Sequence, residues 1–253
     1  MYAVERREWL IERARAVGRL EVAATCEELD VAPETVRRDL NELERQGLLR
    51  RVHGGAVPIE RLGFEGQLRL RVETNHEEKA RVAAAARGLL HNAESVYLDE
   101  GSTVQLLADS LAPTRPLTVV TNALPVATLL ADRPHVTVLL LGGRVRGRTL
   151  ATLEHWATRM LGDLVVDLAF LGANGVSVAR GLTCPDPAVA AVKAAACKAA
   201  RRRVLLCDHT KLGVDSFCRF AEVSDLEALV CDRGARAEHV RELHQAGVGV
   251  MLA

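Results

Sequence analysis

The stretch from Leu20 to Leu40 constrains this chain more than any other part of it. In Leu20-Glu21-Val22-Ala23-Ala24-Thr25-Cys26-Glu27-Glu28-Leu29, the residues Val22, Cys26 and Leu29 recur at helical spacing and predict a helix with one apolar stripe. Asp30-Val31-Ala32-Pro33 interrupts it. Pro33 suits the first position of a second helix, where an N–H would have had no partner. On that second helix Val36, Leu40 and Leu43 share a face by the i, i+4, i+7 rule. The opposite face carries Glu34, Arg38, Asn41 and Arg45, with Thr35 and Arg37 on its flanks. Such side chains reach base edges and phosphates from a helix lying in a major groove. Gly47 then predicts a helix stop, followed by a short two-stranded wing whose Arg50, Arg51 and His53 can meet phosphate or the minor groove. Upstream, residues 3–17 predict a helix with Trp9, Leu10, Arg13 and Val17 around its inner side, ended by Gly18. The pattern is a winged helix-turn-helix.

Net charge plays no part in that expectation. Residues 1–57 hold ten Arg, no Lys and eleven Asp or Glu, so the case rests on where the charges fall. The wording of the motif is more specific than its charge. Thr35-Val36-Arg37-Arg38-Asp39-Leu40-Asn41-Glu42-Leu43-Glu44, followed by Arg51-Val52-His53-Gly54-Gly55-Ala56, resembles the signature of DeoR-type bacterial transcriptional regulators. One departure concerns the helix start. The family usually has Ser just before the recognition helix, and this chain has Ala32, which offers no capping oxygen; the loss is about 0.5–2 kcal/mol. Pro33 offsets part of it by pre-setting the backbone.

The 253-residue chain is long enough for two domains, and with 49% hydrophobic residues it builds a core without metals or disulfides. Only 3% are aromatic, so Ala, Val and Leu must fill that core. Formal net charge is zero, which removes any whole-chain attraction to nucleic acid and speaks against a bare DNA-architectural protein. The six cysteines show neither paired spacing nor a neighbouring His at zinc-finger spacing, so no metal site is expected and free buried thiols are the default. No run approaches the length of a membrane span, and the start lacks the apolar segment of a signal peptide, so a cytoplasmic location is expected.

Residues 58–76 read as a linker ending in Asn75-His76-Glu77-Glu78-Lys79, which fits the Asn-x-x-Glu-Lys of the family. From residue 77 the pattern becomes strand, small-polar loop, helix, repeated. Ser95–Leu98 runs into Asp99-Glu100-Gly101-Ser102-Thr103, Leu117–Val120 into Thr121-Asn122, and Val136–Leu141 into Gly142-Gly143. Leu168–Leu171 leads to Gly172-Ala173-Asn174-Gly175, and Val204–Cys207 to Asp208-His209-Thr210-Lys211. That is an α/β domain with a mostly parallel sheet, and in such sheets ligands bind at the carboxyl ends of the strands. Gly101-Ser102-Thr103, between a strand and a helix start, offers backbone N–H groups, two hydroxyls and a helix dipole to an anion such as phosphate. Lys211 adds a compensating charge. Asp99, Asn122, Asn174 and Asp208 suit sugar hydroxyls.

Taken in order, these loops together with Gly181-Leu182-Thr183 and Lys193 resemble the sensor domain of the DeoR family. With the N-terminal motif, the resemblance covers the whole chain. It implies a fold similar to ribose-5-phosphate isomerase and glucosamine-phosphate deaminase, and a phosphorylated sugar or related metabolite as effector. By that resemblance Gly101, Ser102, Thr103 and Lys211 are phosphate-side candidates, and Asp99, Asn122, Asn174 and Lys193 sugar-side candidates. Two positions depart from the family pattern. Glu100 is often a small residue there, and a carboxylate beside a phosphate loop repels the ligand unless it points away. The family also commonly has a Gly near Thr152-Leu153-Glu154-His155, and this chain has none.

The expectation is thus an α/β chain with three parts. Residues 1–57 form a winged helix-turn-helix that reads operator DNA through Thr35, Arg37, Arg38, Asn41, Arg50, Arg51 and His53. Residues 58–76 link it to a larger sensor, 77–253, that binds effector through Asp99, Gly101, Ser102, Thr103, Asn122, Asn174, Lys193, Asp208 and Lys211. No cofactor is expected, and the active form is expected to be a homodimer or homotetramer matched to repeated half-sites. The function implied is a transcriptional regulator, a repressor of carbohydrate-metabolism genes. The alternative is a sugar-phosphate isomerase or deaminase using Asp99, Glu100, Asp208 or His209 for proton transfer.

Overall fold

The computed structural model describes residues 3–45, 48–52, 54–58 and 74–253, without the side chains of residues 15 and 16. It divides into two compact units, 1–74 and 75–253. His53, Gly47 and residues 59–73 of the expected linker lie outside the described residues.

In the first unit, α1 (Ala3–Val17), α2 (Val22–Leu29) and α3 (Pro33–Arg45) pack around Leu10, Ala14, Leu20, Val36, Leu40, Leu43 and Leu49, all essentially solvent-free. The first two helices end for local reasons. Gly18 takes φ +79° and closes α1, while Asp30 adopts the left-handed conformation (φ 52°) at the end of α2. The buried stripe of α3 is Val36, Leu40 and Leu43, as its spacing predicts, with one addition. Asp39 is 2% exposed and takes Arg6 Nε at 2.5 Å and Arg7 Nε at 2.9 Å, which ties α3 to α1. Among the described side chains of α1 the fully buried ones are Leu10 and Ala14; Trp9 and Val17 pack at the margin, and Arg13 turns aside to Glu28 at 2.7 Å.

The wing has the two strands expected from the sequence, and a third strand joins them. Its strands β2 (Leu49–Val52) and β3 (Gly55–Pro58) are joined by β1 (Leu20–Glu21), which pairs antiparallel with β3. The reason is steric. Gly55 lies so close to β1 that a Cβ there would stand 1.8 Å from the Leu20 carbonyl oxygen. Only glycine admits the third strand, and two residues are too short a run to show period-2 alternation.

In the second unit, β4 (Ser95–Leu98), β5 (Leu117–Thr121), β6 (Val136–Leu140), β9 (Val166–Leu171), β12 (Ala200–Leu206), β14 (Ala228–Cys231) and β15 (Gly249–Leu252) form one sheet. All its pairings are parallel, in the order β15-β14-β12-β9-β4-β5-β6. Helices cover both faces: α4 (His76–Arg87), α5 (Ser102–Ser110) and α6 (Leu124–Leu130) early in the unit, then α7 (His155–Gly162), α8 (Pro187–Ala199) and α9 (Ala237–Gln245). A fully buried layer lies on each side, one centred on Val96, Leu98, Leu107 and Phe170, the other on Tyr97, Leu171, Leu205 and Leu229. The inner strands are buried on both faces and read as continuous apolar runs, whereas the edge strands β6 and β15 are largely exposed.

Two small antiparallel pieces accompany the parallel sheet and have no periodic signal in the sequence. One is the hairpin β7 (Arg144–Arg146) and β8 (Ala151–Leu153); the other is the sheet β10 (Gly175–Ser177), β11 (Gly181–Cys184) and β13 (Cys218–Ala221). Both are built from three- or four-residue strands, too short for a periodic signal. Among the described residues, no helix is long and apolar enough to cross a membrane.

Candidate functional site

In the first unit, α3 buries one stripe and presents the other. Arg37, Arg38 and Asn41 are exposed, and Thr35 is half-buried. The Arg37 guanidinium lies 3.6 Å from Glu34, a pairing between exposed groups that a phosphate can replace. Arg51 does more than project from the wing. Its Nη1 donates to Asn41 Oδ1 at 2.8 Å and to the Arg37 carbonyl at 3.2 Å, and its backbone N–H donates to Glu44 Oε1 at 2.7 Å. One arginine thereby ties β2 to α3. Arg50, next to it, is exposed.

In the second unit the strand order reverses between β4 and β9, since the chain first builds outward through β5 and β6 and later through β12, β14 and β15. A crevice at the carboxyl ends of β4 and β9 follows from that reversal. Asp99 and Gly172, the residues just past these strands, meet across it: the Gly172 N–H donates to Asp99 Oδ2 at 2.9 Å. Lys193, from the middle of α8, donates to the same Oδ2 and to the Gly172 carbonyl at 3.1 Å. Its ammonium also lies 5.7 Å from the centre of the Phe220 ring. Asp186 places α8 by capping its first turn, accepting from Ala188 N at 2.8 Å.

Asp99, Glu100 and Lys193 are all nearly solvent-free. Burial pushes the Lys193 pKa down, but Asp99 and Glu100 outweigh it and hold the value above the ordinary lysine range. The lysine is therefore charged, and the Glu100 carboxylate belongs to the same buried charge cluster. Burial, then the two carboxylates, drives the Tyr97 phenol well above its ordinary value. It stays neutral and donates to Asn122 Oδ1 at 2.9 Å. Among the described residues, Asp99 Oδ1 is buried and accepts no hydrogen bond. An unfilled acceptor of this kind suits a ligand hydroxyl.

Gly101 adopts φ +127°, ψ 157°, a conformation open to glycine alone, and α5 starts directly after it with Ser102 and Thr103 buried in its first turn. Asn122 sits deeper. Besides accepting from Tyr97, its amide donates to the Thr152 carbonyl at 3.2 Å, so both ends are committed within the fold. Asn174 is half-buried in the loop after β9, with its backbone N–H bonded to the Thr183 carbonyl at 2.9 Å.

The loop after β12 gathers a second cluster. Asp208 is 2% exposed and accepts from Thr210 N at 3.1 Å and Asn75 Nδ2 at 3.2 Å. Lys79 Nζ lies 3.9 Å from its other oxygen. Burial pushes Asp208 upward, but Lys211, the Thr210 hydroxyl and Lys79 outweigh that and hold it below the usual carboxylate value. Asp208 is thus an ionised anchor for two lysines. Asn75 and Lys79 were legible only as the end of a linker motif. Nothing local marks Lys79 for burial, and the partner of both residues lies far along the chain.

Comparison with known proteins agrees with both halves of this description. Residues 6–61 match the DeoR-like helix-turn-helix domain, and residues 74–233 match the DeoR C terminal sensor domain. The chain is 31% identical over 253 residues to the HTH-type transcriptional regulator YgbI of Escherichia coli, covering 100% of this chain and 99% of that one. It is equally 31% identical over 253 residues to the HTH-type transcriptional repressor GlcR of Bacillus subtilis, covering 100% and 97%. To GlpR of Haloferax volcanii it is 32% identical over 251 residues, covering 99% and 98%. Among solved structures, ribose 5-phosphate isomerase A of Methanocaldococcus jannaschii aligns with 55% of each chain at 20% identity and a TM-score of 0.41.

Proposed function

Because the chain belongs to the DeoR family of helix-turn-helix transcriptional regulators, we propose that it represses carbohydrate-metabolism genes under the control of a phosphorylated sugar or related metabolite. The observation that carries the DNA half is the division of α3. Val36, Asp39, Leu40 and Leu43 are buried, while Arg37, Arg38 and Asn41 face solvent on a helix braced by Arg51. On this reading Thr35, Arg37, Arg38 and Asn41 read the major groove, and Arg50, Arg51 and His53 meet the backbone. The effector lies at the strand reversal. Gly101, Ser102, Thr103 and Lys211 take its phosphate, and Asp99, Asn122, Asn174, Lys193 and Asp208 lie on the sugar side.

The support for the effector class is chemical. A glycine-only turn opens a helix beside a buried lysine–carboxylate cluster, and a second lysine pair is anchored by Asp208. The curated relatives named above are regulators, and the isomerase or deaminase alternative is not favoured. The protein acts in the cytoplasm, where its operator is, and as a homodimer or homotetramer, so that paired recognition helices match repeated half-sites. Effector control then needs only a different affinity for the two arrangements of those helices.

The test is binding of the purified chain to its own upstream DNA at fixed salt, with and without a panel of sugar phosphates. One phosphate should shift the affinity, and its unphosphorylated sugar should not. DNA binding that no phosphate shifts would remove the effector assignment.

A further inference from the structure

Among the described residues, the parallel sheet of the second unit ends on an open edge at β6. The strand Val136-Thr137-Val138-Leu139-Leu140 holds no charge and no proline, and its register with β5 runs without a bulge. Charges, prolines and bulges are the devices that keep a sheet edge from pairing with another chain. The pairing with β5 fixes which backbone groups are committed. Leu117 N–H donates to the His135 carbonyl and Leu141 N–H to the Thr121 carbonyl, both at 2.8 Å. Alternate residues of a parallel ladder face alternate neighbours, so Thr137 and Leu139 turn their backbone groups to β5. Val138 and Leu140 turn theirs to the open edge. Gly142 is next in that outward row, and its N–H donates to Met160 Sδ at 3.3 Å.

The side chains around this edge are apolar and exposed. Leu139 is 42% exposed and Leu140 40%. Leu141 is buried with Ala157 and Leu161 of α7, so Leu139, two residues before it, points to the α7 side of the sheet. There α7 presents Trp156 and Met160, one turn apart and 65% and 39% exposed. Gly142, Gly143, Arg144, Glu154, Trp156 and Met160 line one open concavity at the end of β6. Arg144 and Glu154 cancel each other's charge there at 2.7 Å. The four apolar side chains leave on the order of 400 Å² in water. A standard interface covers about 800 Å² per partner and is a little over half apolar, so this patch supplies the apolar share of one interface. The opposite edge, β15, also exposes Met251 and Leu252, but the only tryptophan of the sensor unit stands at β6.

We propose that β6 and the Trp156–Met160 face of α7 are where a second copy of this chain docks, the two β6 strands pairing antiparallel about a two-fold axis. A strand edge is its own complement under that symmetry, because the outward N–H and C=O groups of one copy meet those of the other. Trp156 is the anchor, a residue type that dominates interface energetics. This inference rests on the reading of the chain as a homodimer or homotetramer, and it names the surface that makes the assembly.

The test is sedimentation of the full chain over a range of concentrations, beside hydrogen exchange. Leu139→Lys and Trp156→Glu, both at exposed positions, should weaken self-association about thirtyfold or more with the circular-dichroism spectrum unchanged. Val178→Lys, at an exposed valine elsewhere in the unit, should associate as the wild type does. The Val138 and Leu140 amides should exchange slowly in the wild-type assembly and quickly in Trp156→Glu. If both variants associate normally, or those two amides exchange quickly in the wild-type assembly, the copies meet elsewhere: this inference falls and the oligomer reading stands. A monomeric wild-type chain overturns both and leaves this face to a different partner.

Discussion

Arg38 projects into solvent from α3, while Asp39, one residue on, sits 2% exposed between Arg6 and Arg7. Substitution should separate them cleanly. Arg38→Ala should abolish specific operator binding and leave thermal stability within about 0.5 kcal/mol, as for an exposed position. Asp39→Ala should cost about 3 kcal/mol, because it leaves two arginines facing an emptied site, and should lower DNA binding only through unfolding. Gel shift beside thermal melts of the two variants checks this. The sequence already separated Arg38 from the core stripe, but it did not single out Asp39, whose partners lie over thirty residues upstream. Glu154 is the other residue where backbone decides. It holds φ 80°, ψ −161°, in a region essentially reserved for glycine. Relief of about 1–3 kcal/mol of strain exceeds glycine's entropic cost of about 0.5–1 kcal/mol. The exposed ion pair with Arg144, 2.7 Å long, adds little to the loss. Glu154→Gly should therefore stabilise the sensor unit by about 1 kcal/mol in chemical denaturation; a destabilised variant would mean the pair outweighs the strain.

At the scale of elements, the wing and α3 depend on one close approach. Gly55→Ala would place a methyl 1.8 Å from the Leu20 carbonyl, so β1 must leave β3 or the wing must shift. The N-terminal unit should lose about 1–3 kcal/mol, and operator binding should fall although no DNA-facing side chain has changed. Normal binding by this variant would show that the wing tolerates losing its third strand. The helix-turn-helix itself was legible because 3.6-residue periodicity and Pro33 are local signals. β1 was not, since two residues carry no period and their pairing partner is at Ala56. The same holds in the sensor. Its long parallel strands stood out as apolar runs, whereas the hairpin over residues 144–153 and the sheet of β10, β11 and β13 did not.

For the whole molecule, the buried charges of the sensor unit define a pH window. Asp208 has a lowered folded pKa, so its contribution is fully present above its unfolded value of about 3.8 and is lost as the pH falls through the folded value. Lys193 is raised, so its contribution is present below about 10.5 and is lost as the pH climbs through the folded value. Asp208→Asn should flatten the acid limb of the sensor's stability–pH curve and leave the alkaline limb in place; an unchanged acid limb would assign it to other carboxylates. Burial, chiefly, pushes the Cys197 thiol to about 12, and Cys207 is raised as well, so these thiols are inert near neutral pH. The sequence by itself determined the order of parts: a helix-turn-helix with one face for the core and one left polar, then strands ending in small polar loops. Those properties repeat every two or 3.6 residues, and a short window contains them. Tertiary structure alone decided which loop residues meet. Asp99 finds Lys193 on α8, Asn75 and Lys79 find Asp208, and His209 finds Asp232, because strand order brings together residues that no local period connects.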